Sequence, residues 1–131
     1  LKKLIFTNGC FDVIHLGHVR LLEFCSSLGH VIVGINSDAS VRRLKGESRP
    51  VNSAATRREI LLSLRYVDEV EVFHEDTPYE LIKKLKPDIV VKGGDYKAED
   101  VVGSDLAQVL IYPIVEGFSS SNLIDRVSPK Q

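Results

Sequence analysis

The sequence predicts an α/β fold: a doubly wound parallel sheet of five strands with helices on both faces. Two patterns carry that expectation, the strand-length apolar runs and the helix-period segments that separate them, in alternation along the chain. Length agrees with it, since 131 residues make about one domain, to be taken as a single unit over residues 1–131. Parallel strands need a crossover that returns the chain to the same edge, so alternation of this kind favours a parallel sheet. Such sheets take ligands beyond the carboxyl ends of their strands, near the point where strand order reverses.

Leu4-Ile5-Phe6 opens the series as a short strand. Val19, Leu22, Cys25 and Leu28 then recur at helical spacing, and Val31-Ile32-Val33-Gly34-Ile35 is the second strand. A helix follows over Ser53 to Leu64, with Ile60, Leu61 and Leu64 on one face, and Val70-Glu71-Val72-Phe73 is the third strand. Thr77-Pro78-Tyr79-Glu80 is a helix start, with Thr77 as cap, Pro78 at the first helical position and Glu80 three residues after the cap; this helix must stop before Pro87. Ile89-Val90-Val91 is a buried strand ending in a Gly93-Gly94 turn, a weak helical stretch spans Glu99 to Leu106, and Val109-Leu110-Ile111-Tyr112 is the fifth strand. A last short helix is expected from about Ser120 to Val127, with 126–131 a frayed tail.

Composition excludes several classes. Hydrophobic residues make up 44% and charged residues 27%, which is ordinary for a globular protein, and no apolar run approaches the ~20 residues of a membrane span. With 17 Lys plus Arg against 18 Asp plus Glu, a role coating nucleic acid is not expected. The two cysteines, Cys10 and Cys25, lack Cys-x-x-Cys spacing, so neither a disulfide scaffold nor the usual structural zinc site is expected. No basic stretch precedes an apolar one at the start, so the expectation is a cytoplasmic protein without a secretory signal.

The chemistry concentrates after the first strand, in Thr7-Asn8-Gly9-Cys10-Phe11-Asp12-Val13-Ile14-His15-Leu16-Gly17-His18. Two histidines flank a glycine where a helix begins. A helix start offers unpaired N–H groups and the positive end of its dipole, so it suits a phosphate; Gly9 and Gly17 allow close approach, and imidazoles there can donate to the same anion. Two other readings stand beside this one: histidines that only cap and pack, and a zinc site, for which a His-Glu-x-x-His pattern is lacking.

His15-Leu16-Gly17-His18, preceded by Gly9-Cys10-Phe11-Asp12, resembles the His-x-Gly-His signature of the small nucleotidylyltransferases. The resemblance covers nearly the whole chain. Asn8 to Asp12, Asn36-Ser37-Asp38, Arg43-Leu44-Lys45-Gly46, Ser48-Arg49-Pro50-Val51-Asn52 and Val91-Lys92-Gly93-Gly94-Asp95-Tyr96 look like the adenylyltransferase domain that makes ADP-heptose from heptose 1-phosphate. Arg65-Tyr66-Val67-Asp68-Glu69-Val70 looks more like the glycerol-3-phosphate cytidylyltransferases. In the heptose family this domain is often fused behind a sugar kinase, of which nothing is present here, so a free-standing form or an excised domain is expected.

The resemblance implies a Rossmann-like fold of nucleotidylyltransferase type and a reaction in which an acceptor phosphate attacks the nucleotide α-phosphorus and pyrophosphate leaves. It implies His15, His18, Lys45 and Arg57 as catalytic groups, the histidines bonding the phosphates while Lys45 and Arg57 neutralise the triphosphate. Arg58 is the bystander of the arginine pair. Thr7, Asn8, Gly9, Cys10, Phe11, Gly17, Gly93, Asp95, Ser119 and Ser120 would bind the nucleotide, the serines lying in Gly117-Phe118-Ser119-Ser120-Ser121. Asp12 and Arg49 would contact the acceptor, with Asp12 also a candidate for the metal. Cys10 is read as a small residue, not a nucleophile. Magnesium is implied with the triphosphate, held mainly by phosphates and water. The partners expected are a nucleoside triphosphate, a phosphorylated small-molecule acceptor and a second copy of the chain in a homodimer, with neither nucleic acid nor membrane. A nucleotide-binding module without catalysis and a zinc hydrolase are the rivals from other classes.

Overall fold

The structure, a computed structural model, describes residues 2–113. The last helix and the serine-rich segment with Ser119 and Ser120 lie outside those residues. Five parallel strands form one sheet in the order β3-β2-β1-β4-β5, with β1 Leu4–Gly9, β2 His30–Asn36, β3 Glu69–Phe73, β4 Ile89–Gly93 and β5 Gln108–Tyr112. The chain runs outward from β1 through β2 to β3, then crosses back to lay β4 on the other side of β1. The reversal point is therefore the gap between the carboxyl ends of β1 and β4. The doubly wound expectation holds.

Alternate residues of the strands feed two cores. Ile5, Val31, Val33, Ile35, Val70, Ile89 and Val91 pack with Leu21, Leu22 and Cys25 of α1 (Leu16–Leu28) and Leu61 of α3 (Ala54–Leu62). On the other face Phe6, Ile32 and Val90 meet Ile82 of α4 (Tyr79–Leu85) and Val101. Gly34 in β2 is required by this second core, because a Cβ there would stand 2.7 Å from the Phe6 ring. Among the described residues no helix is long and apolar enough to cross a membrane.

Four details depart from the sequence reading. Helix α2 (Asp38–Lys45) was not expected, because it is mostly polar and buries only Ser40 and Val41, leaving no apolar stripe to read. Helix α3 ends at Leu62, with Ser53 capping through the Thr56 N–H and Ile60 turned outward. Helix α4 starts at Tyr79 with Pro78, not Thr77, at the cap and no side-chain cap bond, since the proline ring carries no acceptor for the first-turn N–H groups. The stretch from Glu99 to Leu106 is not a helix. It makes one 3-10 turn over Ala98–Asp100 and then irregular turns, since Gly103 adopts φ +95° and a Cβ there would fall 2.9 Å from Ile82.

Candidate active site

At the reversal point the chain leaves β1 at Gly9, makes the turn over residues 10–15, and enters α1. His15 is the N-cap, in extended conformation, and its Nδ1 accepts the Gly17 N–H at 3.0 Å. His18 sits at the third helical position and its Nδ1 accepts the His15 N–H at 3.3 Å. Together they form a reciprocal capping box in which two imidazoles replace the usual hydroxyl and carboxylate. The rings stack with centroids 3.8 Å apart.

The bonds decide the tautomer. A neutral imidazole whose Nδ1 accepts must carry its proton on Nε2, so in each ring the capping acceptor and the N–H donor are opposite nitrogens. Burial pushes both histidines below the usual imidazole range, His18 to about 3, with the charge of His15 adding to the effect. Capping and anion donation are therefore not competing readings, because they use opposite nitrogens. The Gly17 N–H, by contrast, is engaged by the His15 ring and not left for a phosphate.

Two lysines approach the same place. Lys45 is the exposed last residue of α2, and Lys92 is the half-buried penultimate residue of β4. Burial and the charge of Lys45 lower the Lys92 ammonium, and its Nζ lies 5.4 Å from the centre of the Tyr96 ring. Burial pushes the Cys10 thiol up, against the pull of Lys45, Arg57 and Lys92, so it is not activated as a nucleophile. Among the described residues His18, Lys45 and Lys92 make no ion pair with a carboxylate.

Two acids of this rim face protein groups. Asp12 is 3% exposed, and its two oxygens accept the N–H groups of Val51 at 2.7 Å and Asn52 at 2.8 Å. This geometry favours a strut between two loops over the acceptor or metal contact expected from the sequence. Arg57 is 0% exposed and donates to the carbonyls of Asn52 and Cys10 and to Asp38 Oδ1, at 2.9, 2.8 and 2.9 Å. A sequence displays its charge but not its burial; as placed, the guanidinium faces protein oxygens. Arg58 points to solvent, as expected.

Of the other sequence candidates, Gly9, Cys10 and Gly93 border the mouth, and Asp95 stands exposed just beyond β4. Asn8 is half-buried on β1 and Phe11 is buried beneath Gly9 and against the His18 ring. Thr7 is fully buried in the sheet, and among the described residues its hydroxyl has no hydrogen-bond partner. Arg49 is half-buried in the segment joining α2 to α3. Lys92, Asp38 and Asn52 were not singled out from the sequence. A lone lysine between an apolar strand and a Gly-Gly pair was the available signal for the first.

Fold and rim together define a Rossmann-like α/β protein with a cationic, histidine-capped mouth at its reversal point. The chain belongs to the cytidylyltransferase-like family, whose model matches residues 6–126. It is 57% identical over 128 residues to the Bifunctional protein HldE of a Nitratiruptor species, covering 96% of this chain and 28% of that protein. The HldE of Campylobacter jejuni (strain RM1221) is 56% identical over 132 residues, 99% of this chain and 29% of that protein. The chain thus spans under a third of the length of the curated relatives it matches. Among solved structures, a lipopolysaccharide core biosynthesis protein from Thermoplasma volcanium superposes with a TM-score of 0.71 at 25% identity, covering 86% of this chain and 96% of that one. A pantoate-beta-alanine ligase from Francisella tularensis shares the fold with a TM-score of 0.68 at 18% identity, over 97% of this chain and 66% of that one.

Proposed function

We propose that this chain is a nucleotidylyltransferase domain that transfers a nucleoside monophosphate from a triphosphate to a sugar 1-phosphate, in its preferred form ATP with heptose 1-phosphate to give ADP-heptose. The observation that carries the proposal is the reciprocal histidine cap at the reversal point, in which both Nδ1 atoms accept and the protons stand on Nε2, beside lysines that pair with no carboxylate among the described residues. The adenylyl and heptose assignment rests on the motif resemblance and is supported by the HldE relatives.

In the reaction an acceptor phosphate oxygen forms a bond to the α-phosphorus while the bond to the bridging oxygen of the β-phosphate breaks, and pyrophosphate carries away that electron pair. The nucleophile is already anionic, so no proton must be removed. Catalysis is positioning and charge stabilisation. His15 and His18 donate from Nε2 to oxygens on which negative charge builds; Lys45 and Lys92 neutralise the phosphates. The glycines at the ends of β1 and β4 admit the nucleotide close to backbone, and Asp95 takes a base or ribose donor. Ser119 and Ser120 complete the phosphate site and Arg49 meets the acceptor in this reading. A magnesium ion held by the triphosphate would supply charge neutralisation there. The fit agrees with a phosphate-held ion, since both oxygens of Asp12 already accept backbone N–H groups. A homodimer, with the segment from Arg65 to Val70 in contact, belongs to the same proposal and is tested by sedimentation.

The deciding experiment offers each of the four nucleoside triphosphates with heptose 1-phosphate and with glycerol 3-phosphate and measures pyrophosphate. ATP with the heptose is the expected pair. CTP with the polyol would move the domain to cytidylyl transfer, for which the Arg65 to Val70 segment is the sequence argument. Triphosphate binding without pyrophosphate from any pair would make it a binding module.

A further inference from the structure

Phe11 stands at φ +49°, a left-handed backbone that a bulky residue rarely adopts, in the middle of the turn that leads to His15. Its ring lies under Gly9 and 4.9 Å from the His18 ring, so the turn and the histidine are packed as one piece. Both flanks of Phe11 are held from outside. On one side Arg57 Nη1 bonds the Cys10 carbonyl, fixing the Cys10–Phe11 peptide. On the other side Asp12 is bolted to the Val51–Asn52 backbone through its two carboxylate oxygens, and its carbonyl accepts the Asn52 side-chain amide at 2.8 Å. The second and third donors of Arg57 reach Asn52 O and Asp38 Oδ1, and Asp38 Oδ1 also accepts the Ala54 N–H at 2.8 Å. Three separate segments, the β1–α1 turn, the start of α2 and the start of α3, thus converge on one buried guanidinium.

We infer that Arg57 and Asp12 are a pair of clamps that hold the left-handed Phe11 turn and, through the Phe11 ring, set the place of His18; both are positioning residues that do not touch substrate. A planar fork serving three acceptors in fixed directions is a task lysine cannot take over. The inference deepens the function proposed above, which takes His18 as a phosphate donor, but its central readout does not depend on catalysis.

The test uses two charge-distinct variants, Arg57→Lys, which keeps the positive charge and loses the fork, and Asp12→Asn, which keeps the shape and loses one paired acceptor. Imidazole resonances of His18 are followed by NMR from pH 8 to 5. In the wild-type protein His18 stays neutral throughout, and in each variant that folds it titrates inside that window, because the loosened turn lets water reach the ring. In the transfer assay kcat falls about tenfold or more while the KM for the triphosphate stays within about twofold, since a group displaced by an ångström loses rate before it loses binding. A His18 that remains neutral in both variants overturns the inference. So does a KM that rises tenfold with kcat retained, which would return Arg57 to direct contact with the triphosphate. If the wild-type protein transfers no nucleotide, the proposed function fails while the titration still decides the clamp.

Discussion

The two rims of this sheet treat the same residue type in opposite ways. At the amino rim His30 opens β2 half-buried, with Glu69 at 2.6 Å and Asp68 at 3.7 Å from its two ring nitrogens. Carboxylates line this edge, Asp68 accepting the Val31 N–H and Asp88 the Leu4 N–H, so the rim ties strand beginnings together and gives its histidine acid partners. At the carboxyl rim Asp12 and Asp38 are turned to protein groups instead, Asp12 taking backbone N–H groups and Asp38 taking Arg57. Among the described residues, His18, Lys45 and Lys92 are left there without an acid. Burial first, and a neighbouring positive group second, lower both His18 and Lys92, and groups perturbed in this way gather where a ligand is to be received.

Substituting the two histidines gives the sharpest separation. His18→Ala is expected to reduce kcat by roughly 10²–10³, the loss typical of one transition-state donor, with the fold retained by circular dichroism. His30→Ala at the opposite rim leaves kcat within about twofold, because exposed ion pairs contribute only ~0–1 kcal/mol and the residue stands far along β2 from the mouth. Equal effects at the two positions would erase the distinction between rims and remove the histidine cap from the mechanism.

The lysine at the end of β4 comes next in size. Lys92→Met, which keeps the aliphatic stem, should lower kcat/KM for the triphosphate about tenfold, in line with losing one charge-assisted contact of ~1.5–3 kcal/mol partly made up by its neighbour Lys45. Added salt should weaken the wild-type protein more than the variant. An unchanged kcat/KM, read from pyrophosphate release against substrate concentration, would make Lys92 a prop for Tyr96 only.

How much of this was legible beforehand differs by residue for physical reasons. Alternation of apolar runs announced all five strands and the reversal point, since buried parallel strands cannot avoid such runs. The histidines were legible because glycine and histidine have little packing purpose at a helix start. Helix α2 was not, since a helix that buries two residues leaves no periodic trace. Arg57 was legible as a special arginine, but its burial and its three protein acceptors were not, because sequence carries charge without direction. The same limit hid Asp12, whose carboxylate faces residues 39 and 40 positions further along the chain.

The smallest effect follows from the depressed His18. Its value in the folded protein is about 3 against about 6.5 unfolded, so between these limits the unfolded chain binds the extra proton, and acid favours unfolding. The contribution is fully present above about pH 6.5 and is lost as pH falls, at no more than about 1.4 kcal/mol per unit for a single group. From pH 7 to pH 5 His18 therefore accounts for at most about 2 kcal/mol of the decline. His18→Asn, whose Oδ1 can take over the cap that Nδ1 supplies, should flatten the difference between denaturation midpoints at pH 7 and pH 5. Turnover should show no requirement for an imidazolium, since the rings donate from Nε2 while neutral. A slope identical to wild type in the asparagine variant, or a kcat that falls through pH 6.5 to 8 as a histidine loses its proton, would mean that the carboxyl rim holds a charged imidazole after all.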